Sequence, residues 1–314
     1  MSATVPTDGL AIQARDVSRR FGDHVAVDGL DLSVREGELF ALLGPNGAGK
    51  TTTMKLLCCL LKPDSGAATV MGHDTQSDPY AVKLVIGVSP QESAIAERLS
   101  ARENLVLIGR IHGRRKEEVE KTSDALLEVV GLSDRQTEQV KGFSGGMKRR
   151  LSIAMSLVSD PQVLFLDEPT LGLDPQARRK VWEHIAELKG KRTILLTTHY
   201  LEEADSLADR IAIMDEGRIV ALGTPHELKD GVSGTRVMVI RAKNLTADVV
   251  EELRKRYAEV TETADGVEIR ADEVDLYALD DILRPAGVVV ESAHVKETTL
   301  DEVFLELTGQ ELRA

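Results

Sequence analysis

The sequence predicts an α/β fold in which a parallel sheet is covered by helices, with a β-rich entry before it, a mostly helical insert within it, and a small α+β domain behind it. Three observations carry this reading. Short continuous apolar runs, "ELFALLG", "VLFLDEP" and "TILLTT", read as buried strands and alternate with helical periodicity. A glycine-rich loop, "GPNGAGKT", joins the first of these runs to a helix. Near the end, a strand and helix pattern in β-α-β-β-α-β order follows a turn-prone stretch, which is the ferredoxin-like arrangement.

Taken in order, residues 10 to 43 alternate apolar and polar positions with turn signals at "FGDH" and "REGE", and so read as several short strands. "TTTMKLLCCLL" reads as an apolar helix ended by Pro63, with both cysteines of the chain, Cys58 and Cys59, inside it. Adjacent cysteines lack metal-ligand spacing, and two cannot make a disulfide framework, so they read as buried thiols. From Ser100 to Val130, Leu105, Ile108 and Ile111, then Leu126, Leu127 and Val130, recur at helical spacing. Two helices are expected there, in an insert of about residues 92–158. Next come a helix opened by "SGGMKRRLSIAMSLV", the strand "VLFLD", the helix "QARRKVWEHIAELKG" and the strand "TILLTT". "KDGVSGT" marks the expected boundary between domains 1–230 and 231–314.

Composition narrows the function. The chain has 314 residues, 42% hydrophobic and 29% charged, which suits a folded globular protein. Its net charge is −13, and from Gly231 onward 10 basic and 18 acidic residues give a net of −8. That field repels phosphate backbones and anionic lipid, which makes nucleic acid and direct membrane adsorption poor default partners. No apolar run approaches bilayer length, and "MSATVPTDGL" has neither the basic nor the apolar region of a signal peptide. A cytoplasmic protein is expected.

"GPNGAGKT", Gly44 to Thr51, follows a buried strand and opens a helix, where backbone N–H groups and the helix dipole converge on phosphate. Lys50 would reach the β- and γ-phosphates, and Thr51 would put its hydroxyl on Mg2+. The complementary acids are expected at the carboxyl edge of another strand. "VLFLDEP" supplies them: Asp167 suits the metal shell, and Glu168 suits polarising an attacking water. His199, ending "LLTTHY", can donate to a γ-phosphate.

"GPNGAGKTT", "SPQE", "FSGGMKRRL", "VLFLDEPT", "LGLD" and "TTHY" occur in the order and at about the spacing of the ATP-binding subunits of ABC transporters, which residues 10 to 230 thus resemble. "TTLDEVFLELTG" further resembles the drug-exporter ATPases of the daunorubicin-resistance type. The resemblance implies a P-loop NTPase core of the ABC type and carries roles onto matching positions. Phe21 would stack on adenine. Gly44, Pro45, Asn46, Gly47, Ala48, Gly49, Lys50, Thr51 and Thr52 would hold the phosphates of ATP. Gln91 would touch Mg2+ and the attacking water and link the site to a membrane partner. Asp167 would be the metal acid, Glu168 the general base, His199 the γ-phosphate switch, and Asp174 part of a loop meeting a second subunit.

Ser144, Gly145 and Gly146 resemble the motif that caps the γ-phosphate of ATP held by the other subunit, a role suited to a serine N-cap and small residues at a helix start. The position after them is Met147, where the family usually has glutamine. Lys148, Arg149 and Arg150 read as the solvated face of that helix. The implied function is an ATP-hydrolysing subunit that forms a homodimer around ATP and powers a separate transmembrane permease on the cytoplasmic face of the membrane. Export of a drug, antibiotic or other hydrophobic compound is expected from the C-terminal resemblance, with transport of another solute or lipid, or a non-transport regulatory role, as the alternatives. Chromosome- and ribosome-associated relatives are disfavoured, because the chain has neither long coiled coils nor a second cassette. The tail is expected to stabilise the dimer or the permease contact, with a regulatory or binding module that has its own ligand as the alternative.

Overall fold

The computed structural model describes residues 9–92, 94–232, 236–257, 259–271, 275–296 and 299–309. The chain divides into two compact units between Pro225 and His226, with residues from Leu307 onward grouped with the first.

The first unit opens with β1 (Leu10–Phe21) and β2 (His24–Arg35), two twelve-residue antiparallel strands where several short ones are expected. The pairing shifts register between Ala14 and Val17 and again before Arg20, and Asp16 takes a left-handed φ of 50°. What reads as strand breaks in the sequence is a set of bulges, which interrupt alternation without ending the strand. β3 (Leu39–Leu43) is buried at every position and leads through the glycine loop into α1 (Lys50–Leu57). β4 (Ser65–Val70) and β5 (His73–Asp74) complete an antiparallel sheet of order β2-β1-β4-β5.

α1 is shorter than the sequence suggests. Cys59 adopts φ 58°, its N–H bonds Leu56 O, and the Leu60 N–H bonds Lys55 O, so the helix closes in a Schellman motif at the cysteines. Glycine usually takes that left-handed position, and its absence hides the stop. Cys58 is buried and Cys59 half-buried, and burial pushes the Cys59 thiol up to about 11.

The chain continues through α2 (Pro79–Val85), capped by Asp78, into β6 (Ile86–Ser89). The helical insert follows as α3 (Ala101–Ile111), α4 (Lys116–Val129) and α5 (Gly145–Leu157). Its own apolar core joins Leu105, Val119 and Leu127 to Phe143 and Leu151. A capping box at Ser100 and Glu103 fixes where α3 begins. β7 (Val163–Asp167), α6 (Pro175–Leu188), β8 (Thr193–Thr198), α7 (Leu201–Leu207), β9 (Arg210–Asp215) and β10 (Arg218–Gly223) complete this unit.

The main sheet has the order β10-β9-β3-β8-β7-β6, parallel throughout except for β10 at the edge. Phe40 and Phe165, fully buried, anchor it, each contributing about 1.5–3 kcal/mol by burial. In register, Leu43 sits beside Thr198 and Asp167 beside Thr197. The carboxyl ends of β3, β7 and β8 are therefore adjacent, at the edge where open α/β sheets bind ligands.

α8 (Pro225–Val232) runs through the position expected for the domain boundary, so the first residues of "KDGVSGT" are helical, and residues 233–235 lie outside the described residues. The second unit contains β11 (Arg236–Lys243), α9 (Ala247–Arg256), β12 (Glu259–Thr263), β13 (Gly266–Ala271), α10 (Leu276–Leu283) and β14 (Val289–Lys296), followed by α11 (Leu300–Thr308). Its sheet is antiparallel with order β12-β13-β11-β14, the ferredoxin-like order. Met238, Ile240, Val267 and Ile269 pack with Leu253 and Leu279 into a separate core. Among the described residues, no helix is long and apolar enough to cross a membrane.

Candidate active site

The glycine loop leaves β3 at Gly44, whose N–H bonds Thr198 O, and reaches α1 at Lys50. Gly47 and Gly49 take φ 88° and 100°, values open to glycine at little cost. A Cβ on Gly49 would stand 2.3 Å from Ala26 O, and one on Gly44 would stand 2.3 Å from Met214 O. The loop is thus pressed onto β2 and β9 by the absence of side chains. Along its concave side lies a cavity of ≈ 280 Å³ lined by Pro45 to Thr52, Phe21, His24, Ala26, Gln91 and Glu168.

Lys50 is buried and donates to Gly44 O at 2.6 Å and Pro45 O at 3.0 Å, and its Nζ lies 3.4 Å from Glu168 Oε1. Burial lowers the Lys50 ammonium, an effect that Glu168 and Asp167 partly offset. The Thr51 hydroxyl donates to Asp167 Oδ1 at 3.0 Å, and Thr197 donates to the same oxygen at 2.6 Å. A hydroxyl beside a carboxylate is a hard oxygen pair suited to Mg2+, with phosphate and water oxygens needed to fill the remaining positions. Among the described residues no cluster of three or more His, Cys, Asp or Glu could hold a metal without such help.

Glu168 is buried and sits at φ 49°, a left-handed conformation that costs a non-glycine residue about 1–3 kcal/mol. Its N–H bonds both the carbonyl and the hydroxyl of Thr197, and its Oε2 lies 2.7 Å from His199 Nδ1. That contact puts a proton on Nδ1, whichever charge the ring carries. Burial alone would raise the Glu168 carboxyl. Hydrogen bonding from His199 and the charge of Lys50 outweigh it and hold the group below its ordinary value, as a carboxylate at neutral pH. The His199 ring also rests on Tyr200, with centroids 4.1 Å apart, and Arg178 from α6 covers the Tyr200 ring at 3.9 Å.

Phe21 is 44% exposed, and the Arg19 guanidinium lies 5.0 Å from its ring centroid. The ring is held beside the phosphate loop with surface free to stack. Ser144, Gly145, Gly146 and Asp174 do not line this cavity. They border a second one of ≈ 250 Å³, where the start of α5 meets the start of α6. The Ser144 hydroxyl accepts the Met147 N–H at 3.3 Å, and Asp174 caps α6 through the Ala177 N–H at 2.9 Å. Ser144, Gly145 and Asp174 are exposed. The two glycine-bearing motifs thus line two separate cavities.

The cations after the glycines depart from the expected solvated face. Lys148 pairs with Glu97, and Arg150 reaches the carbonyls of Val130 and Gly131. Arg149 is 5% exposed and donates to the carbonyls of Pro90, Gln91, Asp167 and Pro169. α5 is buried from Leu151 to Ser156, so this helix has less solvent face than its charges suggest. Thr197 and His24 are also site residues the sequence reading missed. The hydroxyl of a strand threonine carries no motif, and His24 is placed only by the hairpin that brings it back beside Phe21.

Residues 27–171 match the family described as ABC transporter, and residues 223–308 match the C-terminal domain of DrrA1-3-like ATP-binding proteins. The daunorubicin resistance ATP-binding protein DrrA3 of Streptomyces coeruleorubidus is 45% identical over 96% of this chain and 97% of its own length. The daunorubicin/doxorubicin resistance ATP-binding protein DrrA of Streptomyces peucetius is 42% identical, with 95% and 92% covered. The Nod factor export ATP-binding protein I of Rhizobium meliloti is 40% identical, with 97% and 90% covered. A solved ATP-binding subunit of an ABC transporter superposes with a TM-score of 0.64 at 31% identity, over 70% of this chain and 92% of that one. A P-loop core, a ferredoxin-like unit that follows it in the sequence and relatives that match almost end to end lead to one conclusion: the chain belongs to the ATP-binding subunits of ABC transporters, which bind and hydrolyse ATP.

Proposed function

We propose that this subunit hydrolyses MgATP as a homodimer and drives a separate permease that exports a drug, antibiotic or similar hydrophobic compound. Relatives named for daunorubicin resistance and for Nod factor export match nearly the whole chain, the second unit included, which favours export. The observation that carries the mechanism is the Glu168 carboxylate, held between Lys50 and His199 beside the phosphate loop.

The loop and the α1 N-terminus bind the β- and γ-phosphates of ATP, and Phe21 stacks on the adenine. Thr51 and Asp167 would hold Mg2+, which when bound neutralises phosphate charge. In the structure Lys50 and His199 both stabilise Glu168 as a carboxylate. Attraction of both donors to the γ-phosphate would release them from Glu168, raising its proton affinity as water is placed for attack. Gln91, at the rim of the same cavity, orients that water. The second cavity, with Ser144, Gly145, Gly146 and Asp174, caps the γ-phosphate bound by the partner.

Gln91 follows β6, and β6 also borders an apolar groove of ≈ 510 Å³. Tyr80 and Ile111 in its wall are 73% and 69% exposed. A cytoplasmic helix of the permease fits there, beside the loop that would report its movement.

Glu168→Gln should keep MgATP affinity within about threefold while lowering turnover by about 10³-fold, within the usual span for loss of a general base. A strain carrying only this variant should be as drug-sensitive as one lacking the chain, and the full-length protein should co-purify with an integral membrane protein. Turnover near the wild-type rate would remove Glu168 as the base, and recovery of ribosomes or DNA in place of a membrane protein would overturn the transport reading.

A further inference from the structure

Arg149 lies in the second turn of α5, the helix that Ser144 caps. Its Nε donates to Pro169 O at 2.7 Å and its Nη2 to Asp167 O, while Nη1 donates to Pro90 O at 2.7 Å and reaches Gln91 O at 3.4 Å. Every acceptor is a main-chain carbonyl. A buried cation with no carboxylate in contact is costly, so filling space does not account for an arginine here. Burial does lower the guanidinium, and the more distant charges of Asp167, Glu203 and Glu168 offset part of that.

The carbonyls themselves are informative. Asp167 and Pro169 flank Glu168, the residue held at φ 49°. A rigid planar fork bonded to the carbonyl on each side of that residue fixes the turn that aims its carboxylate. Pro90 and Gln91, on the fork's other edge, form the exit from β6 that carries the Gln91 side chain to the rim of the phosphate cavity.

We propose that Arg149 is a positioning residue for ATP hydrolysis, clamping the left-handed turn at Glu168 to the backbone of Gln91. The geometry of Glu168 then depends on the loop that carries Gln91, through one side chain rooted in α5. Lysine can replace it only in part, because a single ammonium cannot span carbonyls from two loops in a fixed plane.

The inference rests on the reading of Glu168 as base, so Glu168→Gln is measured alongside. In the full-length chain, Arg149→Met should leave the MgATP dissociation constant within about threefold and lower kcat by about 10²-fold, the size of loss a misplaced catalytic group produces. Arg149→Lys should be intermediate, on the order of 10-fold down in kcat. Gln91→Ala should lose most of its own effect on kcat in the Arg149→Met background, because the two then act on one linkage.

Wild-type kcat in Arg149→Met, strict additivity with Gln91→Ala, or equal losses of affinity and turnover would each overturn the clamp. If Arg149→Met does not fold, Arg149→Lys decides: lowered kcat with affinity held supports the clamp, and unchanged kcat overturns it. An inactive Glu168→Gln with a fully active Arg149→Met defeats the clamp alone, whereas an active Glu168→Gln defeats the reading beneath it.

Discussion

The two glycine-bearing cavities of this chain differ in what requires their glycines. In the phosphate loop the requirement is internal: Gly47 and Gly49 hold positive φ, and side chains at Gly44 or Gly49 would collide with carbonyls of neighbouring strands. At the start of α5 the constraint is weaker. Among the described residues, a Cβ on Gly145 meets nothing within 4 Å, and one on Gly146 meets only Ala177 Cβ at 3.2 Å and Leu173 Cδ2 at 3.8 Å. The chain's own packing explains the first loop and leaves Gly145 unexplained. Close approach of a partner's nucleotide, as proposed above, would account for the difference.

The comparison breaks most visibly at the first loop. Gly49→Ala must place its Cβ against Ala26 O or shift β2, and must hold alanine at φ 100°. Strain of about 1–3 kcal/mol from the backbone alone, with the clash added, should lower the melting temperature and reduce ATP affinity by more than about 100-fold. Calorimetric titration and thermal melting of the variant test both; wild-type affinity would mean the loop is not locked as its contacts indicate.

Gly145→Leu should behave in the opposite way. With open space at its Cβ, the variant should melt close to wild type and bind MgATP within about threefold, yet lose ATP-dependent dimerisation and about 10²-fold or more in turnover, as when a preorganised donor is displaced. Light scattering with ATP, in a background where Glu168→Gln slows hydrolysis, reads the dimer directly. Normal dimerisation would show that the second half-site does not face a partner's phosphate.

The phosphate loop, the acids at the exit of β7 and the histidine just after β8 were legible because each motif sits at the end of an apolar run, which fixes both strand and edge. Harder to see were features that depend on contacts remote in sequence. Arg149 looks like its neighbours Lys148 and Arg150, and only the docking of α5 over β6 and β7 separates a buried clamp from surface charge. Cys59 ends α1 in a conformation that its side chain does not advertise, and the bulges in β1 mimic strand ends. Charge type and periodicity give a residue's side of a helix, but not whether that side is covered.

Glu203, within "LEEAD", is the same kind of residue and allows the subtlest test. It is fully buried on α7, where its Oε1 accepts the Thr170 hydroxyl at 2.9 Å and the Trp182 indole N–H at 2.8 Å. Burial pushes its carboxyl above the ordinary value of 4.5, against hydrogen bonds from Thr198, Thr170 and Trp182 that lower it. The folded state therefore keeps a proton that the unfolded chain releases. Stability from this group is full below about pH 4.5 and is lost as pH rises through the folded value. A glutamine side chain cannot titrate, so the melting temperature of Glu203→Gln relative to wild type should rise with pH above about 4.5 and then level off. A relative melting temperature that falls as pH rises would show instead that Glu203 is held as a carboxylate in the folded state.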